Sequence, residues 1–562
     1  MKQKRSKDIL PSLLDALPSA IIPDDVDLAS IASSFANSVA RLSAPDFAEV
    51  AIWRDCFALT GTLRTFYSPW TVSAVYRNRC LARQAQSFCV QADEAHVVRI
   101  SPSCSWINVP FRFETNASPA ACCSGVLSLI PSGENGEYTI WMLQTLLDRF
   151  RGYPSVDTLD PTAQIPSVGD STTDFDCLIV GAGHSGLNVA GRLKALGVSY
   201  LVIDKNSRVG DNWRLRYDSA KLHTIRDYSH LPFERNFAHV DHEFLTKDDL
   251  AEGFASWAEK YRINIWTSSE LQSGTWDDSR AQWTLKVRQA IADSENIKVL
   301  TCRHVVLATG GPCNKPHKPF YPGEERFKGV VQHSVSYRNA WDWKGQRGVV
   351  VGTANTEILN DHTPLETSDR TLFAGPLAVS RLTTMAALNT QAQAEPERFA
   401  ALERAGFRTE RYGDLIGLLS ERFGGHYIDV GASAKIAQGL IKVKSDSRLV
   451  SYTKDGLIFE DGTHLPADVI IYATGFTGNL RDSVREYFGD EIYAQVEDYW
   501  GINQEGELKG AYVPTGHPGL WYVGGGMGQA RFFARFVALQ ILAHLLGNPL
   551  PVYSETPVVE GG

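Results

Sequence analysis

The sequence has no C-x-x-C pair, no long uninterrupted apolar run and no excess of positive charge. Nine cysteines without paired spacing in 562 residues indicate reduced thiols rather than a disulfide framework. The longest apolar stretch, residues 532–546, contains Arg535 and His544 and is too short to span a bilayer. A net charge of −9 argues against partners such as nucleic acid or an anionic membrane surface.

Recognisable targeting signals are also missing. Residues 1–7 are polar and basic and precede no apolar signal-peptide core, and the last residues, Glu560-Gly561-Gly562, form no targeting tripeptide. A composition of 43% hydrophobic and 21% charged residues is typical of globular proteins, and this length predicts about two to four domains. We therefore expect a cytoplasmic protein that binds neither membrane nor nucleic acid.

Residues 177–204 carry a nucleotide-binding pattern. An apolar run of strand length enters a G-x-G-x-x-G turn, a helical pattern follows, and a second apolar run ends on an acid, which is the layout of a dinucleotide-binding βαβ unit. Its glycines let the backbone approach a pyrophosphate, and an acid about 20 residues further on binds a ribose hydroxyl. The alternative is a glycine-rich turn in an ordinary α/β domain. The predicted nucleotide contacts are Gly181, Gly183, His184, Ser185, Gly186, Asp204 and Lys205.

The turn after this unit also contains candidate cofactor residues. Asn212, Trp213 and Arg214 follow Gly210 shortly after the ribose-binding acid. They are predicted to pack against the flavin and its diphosphate, although a surface loop is the alternative. Because a carboxylate at Asp204 favours a free ribose 2′-hydroxyl over a 2′-phosphate, the first unit is expected to bind FAD or NAD rather than NADP.

Residues 1–155 contain no nucleotide fingerprint. Residues 47–66 show helical periodicity, with Val50, Trp53 and Phe57 on one predicted buried face, and strand-like runs follow between residues 96 and 146. This order predicts an α+β domain and resembles the NTF2-like (SnoaL-like) fold. Such a domain is interpreted as a substrate pocket, a homodimer surface or a relic.

A motif further along indicates the family. Residues 327–337 fit F-x-G-x-x-x-H-x-x-x-[YF], and they lie between an A-T-G at 308–310 and an A-T-G-F at 473–476. This ordered set resembles the class B flavin-dependent monooxygenases, which include flavin-containing N- and S-oxygenases, YUCCA enzymes and Baeyer–Villiger monooxygenases. The motif closes on Tyr337, where the Baeyer–Villiger form carries Trp, so the chain is more similar to the flavin-containing or YUCCA-like form.

The resemblance implies an α/β flavoprotein with two Rossmann-like dinucleotide-binding domains behind the N-terminal α+β domain. The implied cofactors are FAD and NADPH, and the implied partners are O₂ and a small-molecule substrate. Gly525 and Gly526 are placed near the flavin ribityl chain, and His223 and Arg226 are candidate catalytic side chains, with a structural role equally open. The implied divisions are 1–155 (accessory domain), 156–174 (linker), 175–335 (FAD domain), 336–475 (divergent NADPH-binding-like domain) and 476–562 (return to the FAD domain and C-terminal helix).

The second nucleotide fingerprint departs from the family pattern. Its predicted NADPH contacts are Gly352, Thr353, Ala354, Asn355 and Thr356. Ala354 replaces the second glycine, Glu357 stands where a small residue allows close packing, and Pro364 should break the following helix. Three readings are open: the unit is divergent but still binds NADPH, its cofactor use has changed, or a segment is missing from the gene model.

The sequence thus predicts an FAD-dependent monooxygenase that oxygenates a heteroatom or activated carbon of a small organic molecule, in specialised metabolism. One alternative is a flavin oxidase or non-redox flavoenzyme that no longer uses NADPH efficiently. Another is a flavin-bound, non-catalytic binding or assembly protein. The cofactor carries this chemistry, so no metal site is expected.

Overall fold

The computed structural model describes residues 8–133, 137–162, 172–291, 294–310, 315–352, 365–422, 424–426, 429 and 431–555. Helices and strands are numbered below in chain order.

An α+β unit occupies the N-terminal part of the chain. Its seven-stranded sheet has the order β2-β1-β7-β6-β5-β3, with β4 also paired to β5. All neighbours are antiparallel except β1 and β7, which run parallel. The elements are α1 (Leu10–Leu13), α2 (Leu28–Ser34), β1 (Phe47–Cys56), β2 (Leu63–Tyr67), α3 (Pro69–Ala82), β3 (Ala85–Val90), β4 (His96–Ser101), β5 (Cys104–Thr115), β6 (Ala121–Ser132) and β7 (Glu137–Phe150).

The helix predicted over residues 47–66 is wrong, because this stretch forms strands β1 and β2. Residues 51–66 are buried throughout. A strand covered on both faces shows no polar alternation, so its apolar residues imitate a helical period. Trp53 and Phe57 are indeed buried, at 0% and 1% exposure, whereas Val50 is 58% exposed.

The first dinucleotide unit is built around the apolar run before Gly181. Strand β8 lies in a sheet of order β10-β9-β8-β13-β12-β11, with β22 beside β13, and it is parallel to both β9 and β13. A capping box of Thr246 and Asp249 starts α6. The elements are β8 (Asp174–Val180), α4 (His184–Ala195), β9 (Tyr200–Ile203), α5 (Asp211–Arg214), α6 (Lys247–Lys260), β10 (Ile265–Trp266), β11 (Ser269–Asp277), β12 (Gln282–Ile291) and β13 (Ser294–Leu307).

A smaller sheet follows, in which β15, β20 and β16 run parallel in that order. Helix α7 then packs on the C-terminal helix rather than on this sheet. The elements are β14 (Lys315–Pro316), β15 (Val330–His333), β16 (Gly348–Val351), α7 (Leu365–Phe373), α8 (Leu377–Ala394), α9 (Pro396–Arg404), α10 (Leu415–Gly417), α11 (Ala432–Ala437), β17 (Leu449–Thr453), β18 (Gly456–Phe459), β19 (His464–Pro466), β20 (Val469–Tyr472) and β21 (Phe476–Thr477).

The chain then returns to the first dinucleotide unit through α12 (Leu480–Gln495), β22 (Leu520–Tyr522) and α13 (Met527–Leu545). Helix α13 packs on α4, and its Phe536 ring stacks on Phe57 of the N-terminal unit with centroids 4.7 Å apart. The two units therefore share one hydrophobic core. Among the described residues no single helix is long and apolar enough to cross a membrane, although the bent pair α7–α8 passes by length and composition.

Buried ion pairs reinforce these contacts. Arg54 of β1 forms a bidentate ion pair with Glu507, with Nε–Oε1 and Nη2–Oε2 distances of 2.7 and 2.6 Å. Arg531 of α13 pairs in the same way with Asp369 of α7, at 2.7 and 2.6 Å. All four side chains are at most 6% exposed, so these pairs fix how the units pack.

His304 in β13 makes acid stability testable. Burial, helped by His544, lowers its pKa from 6.5 to about 3, and its Nδ1 accepts a hydrogen bond from Trp521 Nε1 at 3.2 Å. Below pH 6.5 the His304 side chain is therefore protonated in the unfolded chain, whereas in the folded chain it stays neutral down to about pH 3. Between these two pH values, protonation of His304 in the unfolded chain should lower the free energy of unfolding by about 1.4 kcal/mol per pH unit.

We expect His304→Gln to unfold at lower pH than the parent in acid titrations followed by circular dichroism. An unchanged acid midpoint, or an equal shift in the exposed control His239→Gln, would contradict this assignment.

Candidate functional site

The glycine turn after β8 is held against the end of β13. Gly181 has φ +112°, and a Cβ added there would lie 2.4 Å from the Ala308 carbonyl oxygen. A Cβ on Gly186 would lie 1.9 Å from the Gly181 carbonyl oxygen. Both positions therefore require glycine, because any side chain would push helix α4 away from the strand ends.

The first turn of α4 provides unpaired backbone donors. The backbone N–H groups of Gly183, His184, Ser185 and Gly186 have no acceptor among the described residues, as expected at a helix start. The His184 ring lies 3.0 Å (Nε2) from the Gly525 carbonyl oxygen, and burial lowers its pKa. The neutral ring therefore donates from Nε2 and ties the C-terminal glycines to the first turn.

The acid at the end of β9 lies beside the same turn. Asp204 accepts hydrogen bonds from the backbone N–H groups of Ala182 and Asn206, at 2.7 and 2.8 Å. These bonds fix the carboxylate next to the glycines, where a ribose would follow a bound pyrophosphate. The neighbouring Lys205 is exposed.

Only part of the Asn212–Arg214 stretch faces the turn. Asn212 Nδ2 is 3.7 Å from the Cβ position of Gly183, and Trp213 is 9% exposed with no described partner for its indole N–H. Arg214 instead donates to the Val209 carbonyl at 2.7 Å and to Asp211 Oδ1 at 3.1 Å. These contacts stabilise the loop, and a contact of Arg214 with a cofactor stays a prediction.

Only one of the two candidate catalytic residues, His223 and Arg226, lines the main cavity. His223 lines the main cavity, and burial, with smaller contributions from His426 and Arg216, lowers its pKa to about 4. It is therefore a neutral imidazole at physiological pH. Arg226 is not among the cavity residues; it donates to the Val240 carbonyl and contacts Asp227 at 3.4 Å.

His426 joins His223 at the cavity wall, although the two residues are far apart in sequence. The sequence favours a structural role for His426 after its glycine pair. Both of its ring nitrogens are buried without a described hydrogen-bond partner. The only sequence signal for this placement is the preceding Gly424-Gly425.

The second glycine turn repeats the geometry of the first. Gly352 has φ +104°, and an added Cβ would lie 2.3 Å from the Ala473 carbonyl oxygen, matching Gly181 and Ala308. His333 Nε2 donates to the Gly475 carbonyl at 3.0 Å, and its Nδ1 accepts from Val335 N–H at 3.2 Å. The motif histidine thus joins two strand ends. The other predicted contacts, Thr353, Ala354, Asn355 and Thr356, lie outside the described residues, as do Glu357 and Pro364.

One cavity of about 2240 Å³ is lined by His184, His223 and His426, whereas Gly352 and His333 of the second turn are not among its lining residues. It is much larger than the roughly 300–1,000 Å³ of an ordinary ligand pocket. Helices α7–α9 and one face of the N-terminal sheet form two walls. The wall on the side of the first glycine turn includes His184, Trp213, Tyr228, Gly525, Gly526 and Met527.

Comparison with known proteins gives a family match and several similar chains. Residues 178–358 match the family described as pyridine nucleotide-disulphide oxidoreductase. The chain is 25% identical over 325 residues to the probable indole-3-pyruvate monooxygenase YUCCA1 of Arabidopsis thaliana, covering 54% of this chain and 76% of the relative. It is 27% identical over 340 residues to YUCCA3 of the same plant, covering 56% and 76%. A flavin-containing monooxygenase from Stenotrophomonas maltophilia overlaps 66% of this chain and 100% of its own, with a TM-score of 0.45 and 17% identity.

The family match spans the first glycine turn, Asp204 and the second glycine position at Gly352. The curated relatives extend the sequence similarity over more than half of the chain. Together with the geometry of the first turn, these matches identify the chain as an FAD-dependent oxidoreductase that is similar to the flavin monooxygenases.

Proposed function

We propose that the protein is a monooxygenase that takes electrons from NADPH and uses O₂ to oxygenate a heteroatom or activated carbon of a small organic molecule, in specialised metabolism. The observation that carries this proposal is the matched pair of glycine turns. Gly181 and Gly352 approach equivalent carbonyls at 2.4 and 2.3 Å, and His333 ties the second strand end to its neighbour. Two such turns suit an enzyme that binds two dinucleotides.

The residues of the first turn fit FAD. Unpaired N–H groups at the start of α4 would hold its pyrophosphate, and Asp204 would accept from a ribose hydroxyl. Bound FAD supplies the redox chemistry with O₂. The chain's share is to orient the flavin and keep water out: Trp213 and Met527 are 9% and 5% exposed at the cavity wall. The neutral His223 can exchange hydrogen bonds with a substrate without adding charge.

Anaerobic stopped-flow reduction of the FAD-loaded protein tests this function. NADPH should bleach the flavin absorbance rapidly, and O₂ re-admitted together with an oxidisable substrate should restore it and yield oxygenated product. NADH is the control for the nucleotide. Retained FAD with no bleaching by either nucleotide would contradict the proposal and favour a flavin oxidase or non-redox flavoenzyme, as Glu357 and Pro364 suggest at the sequence level. A chain that consumes neither nucleotide nor O₂ with any substrate would instead point to a non-catalytic flavin-bound protein.

Gly352→Ala should slow flavin reduction by NADPH without removing FAD. The new methyl group would lie 2.3 Å from the Ala473 carbonyl oxygen, so the second turn must move away from its strand end. A displacement of about 1 Å can cost on the order of 100-fold in rate. Gly348→Ala is the matched control on the same strand, because an added Cβ there meets nothing within 4 Å. Equal reduction rates in the two variants would mean that this turn does not position NADPH.

We further infer that the N-terminal unit has the NTF2-like fold and that the domains divide at the predicted boundaries. The helices α1–α3 around a mainly antiparallel sheet support the first point. A homodimer through this unit remains a prediction, which light scattering of the full-length protein tests.

A further inference from the structure

The N-terminal sheet has two differently used faces. Along β5, Ile107 and Val109 point into the unit's own core, whereas Trp106, Asn108 and Pro110 line the large cavity. Successive strand residues point to opposite faces, and the neighbouring strands repeat the pattern. One face of the sheet therefore packs in the core of the N-terminal unit, and the opposite face forms a wall of the large cavity.

This wall is continuous with the flavin side of the cavity. The Tyr228 hydroxyl lies 2.6 Å from the Cβ position of Gly526, and the Tyr228 and Phe373 rings are 6.3 Å apart. Two residues after Phe373, the Cβ position of Gly375 is 3.6 Å from Gln144 Nε2 on β7. A short series of contacts thus leads from a predicted flavin-binding glycine to the sheet.

The corner between α7 and α8 is fixed against the sheet. Arg54 Nη1 donates to the carbonyls of Phe373 and Gly375, at 2.5 and 2.7 Å, while its other donors hold Glu507. Farther along, Ala378 and Val379 of α8 pack on Trp106 and neighbouring residues of the same face. Contacts from Arg54 to the α7–α8 corner and from α8 to Trp106 therefore fix the position of this sheet face relative to the two helices.

One part of the wall, between β4, β5, β6 and β7, combines apolar side chains with two amides, while His96, Arg112 and Asp148 line the cavity elsewhere on the sheet. Val98, Ile100 and Val126 are partly exposed to the cavity. Asn108 Oδ1 accepts from Ser128 Oγ at 2.8 Å, and its amide N–H groups have no acceptor in the part of the chain that the structure describes. Gln144 contributes a second amide to the same face.

We infer that this face of the N-terminal sheet is the substrate-selecting wall of the enzyme. It takes the apolar body of an elongated substrate, which the Asn108 and Gln144 amides border. The wall residues act on specificity and lie outside the predicted cofactor turns. That the molecule bound at this wall is a substrate rests on the proposed function. That the wall binds an apolar molecule does not depend on it.

Binding of a homologous series tests the inference without turnover. Isothermal titration calorimetry of the oxidised, FAD-loaded protein with n-alkyl methyl sulfides, from butyl to decyl, should show affinity rising about fourfold per methylene as the chain covers the wall. In Val126→Trp the rise should stop at shorter chains, with decyl methyl sulfide bound at least tenfold more weakly than by the parent. Val126→Ala should bind the longest chains at least as well as the parent does.

Val50→Trp is the matched control, because Val50 lies on the same sheet, is 58% exposed and is not a cavity residue. FAD absorbance and the thermal midpoint verify folding of each variant. Affinity independent of chain length, absence of binding, or an equal loss in Val50→Trp would overturn the inference. Flavin reduction by NADPH, measured on the same preparations without sulfide, reports on the proposed function separately.

Discussion

Gly181→Ala is expected to yield protein that has lost most of its FAD. The substitution places a methyl group 2.4 Å from the Ala308 carbonyl oxygen, at a residue with φ +112°. The turn must therefore move away from β13 and from a bound pyrophosphate. Each lost hydrogen bond to a charged group is worth about 1.5–3 kcal/mol, so FAD affinity should fall by at least about tenfold. The ratio of flavin to protein absorbance after purification measures the effect.

Gly197→Ala is the matched control for this loss. Gly197 also has a positive φ, +72°, but an added Cβ meets nothing within 4 Å. It therefore carries the backbone penalty of a left-handed residue, about 1–2 kcal/mol, without a collision. It should be slightly less stable than the parent and keep its FAD. Full FAD occupancy in Gly181→Ala would show that this turn does not hold the cofactor.

Arg54→Met should strongly destabilise the protein. The substitution removes the partner of Glu507, which is 3% exposed in the pair, and leaves the carbonyls of Phe373 and Gly375 without their donor. Removing one member of a buried ion pair costs about 3–5 kcal/mol, because the remaining charge stays in a low-dielectric environment. We expect a lower thermal midpoint, measured with FAD bound, and weaker attachment of the α7–α8 corner to the sheet.

An exposed ion pair provides the control for Arg54. Arg347 and Asp468 are 2.8 Å apart, but their side chains are 56% and 38% exposed. Such pairs contribute about 0–1 kcal/mol, so Arg347→Met should shift the thermal midpoint little. Similar shifts in the two variants would mean that the Arg54–Glu507 pair does not hold the units together.

Local patterns predicted the first nucleotide unit well. The strand, turn and helix around Gly181, the position of Asp204 at a strand end, and the Thr246 capping box all depend on neighbours within a few residues. The pairing of β8 with β13 was also predictable, because the run before Ala308 is apolar throughout, as a strand in a buried parallel sheet must be.

The same patterns failed where burial came from distant parts of the chain. The pattern of strands β1 and β2 imitates a helix because their residues are buried by packing from distant elements, among them α3. The catalytic role of Arg226 stays a prediction: its described bonds go to Val240 and Asp227, and it is not among the cavity residues. His426 is at the cavity wall, a position for which the preceding Gly424-Gly425 is the only local signal.

By itself, the sequence determined where the chain turns tightly around a nucleotide and which flavoenzymes it resembles, because glycine spacing and strand-end acids act over short distances. The tertiary structure decided what surrounds that turn. The use of one sheet face as a cavity wall, the buried Arg54–Glu507 pair across 453 positions and the approach of His223 to His426 all require contacts between distant segments. Such contacts depend on how complete elements pack, and no periodicity within a single segment encodes them.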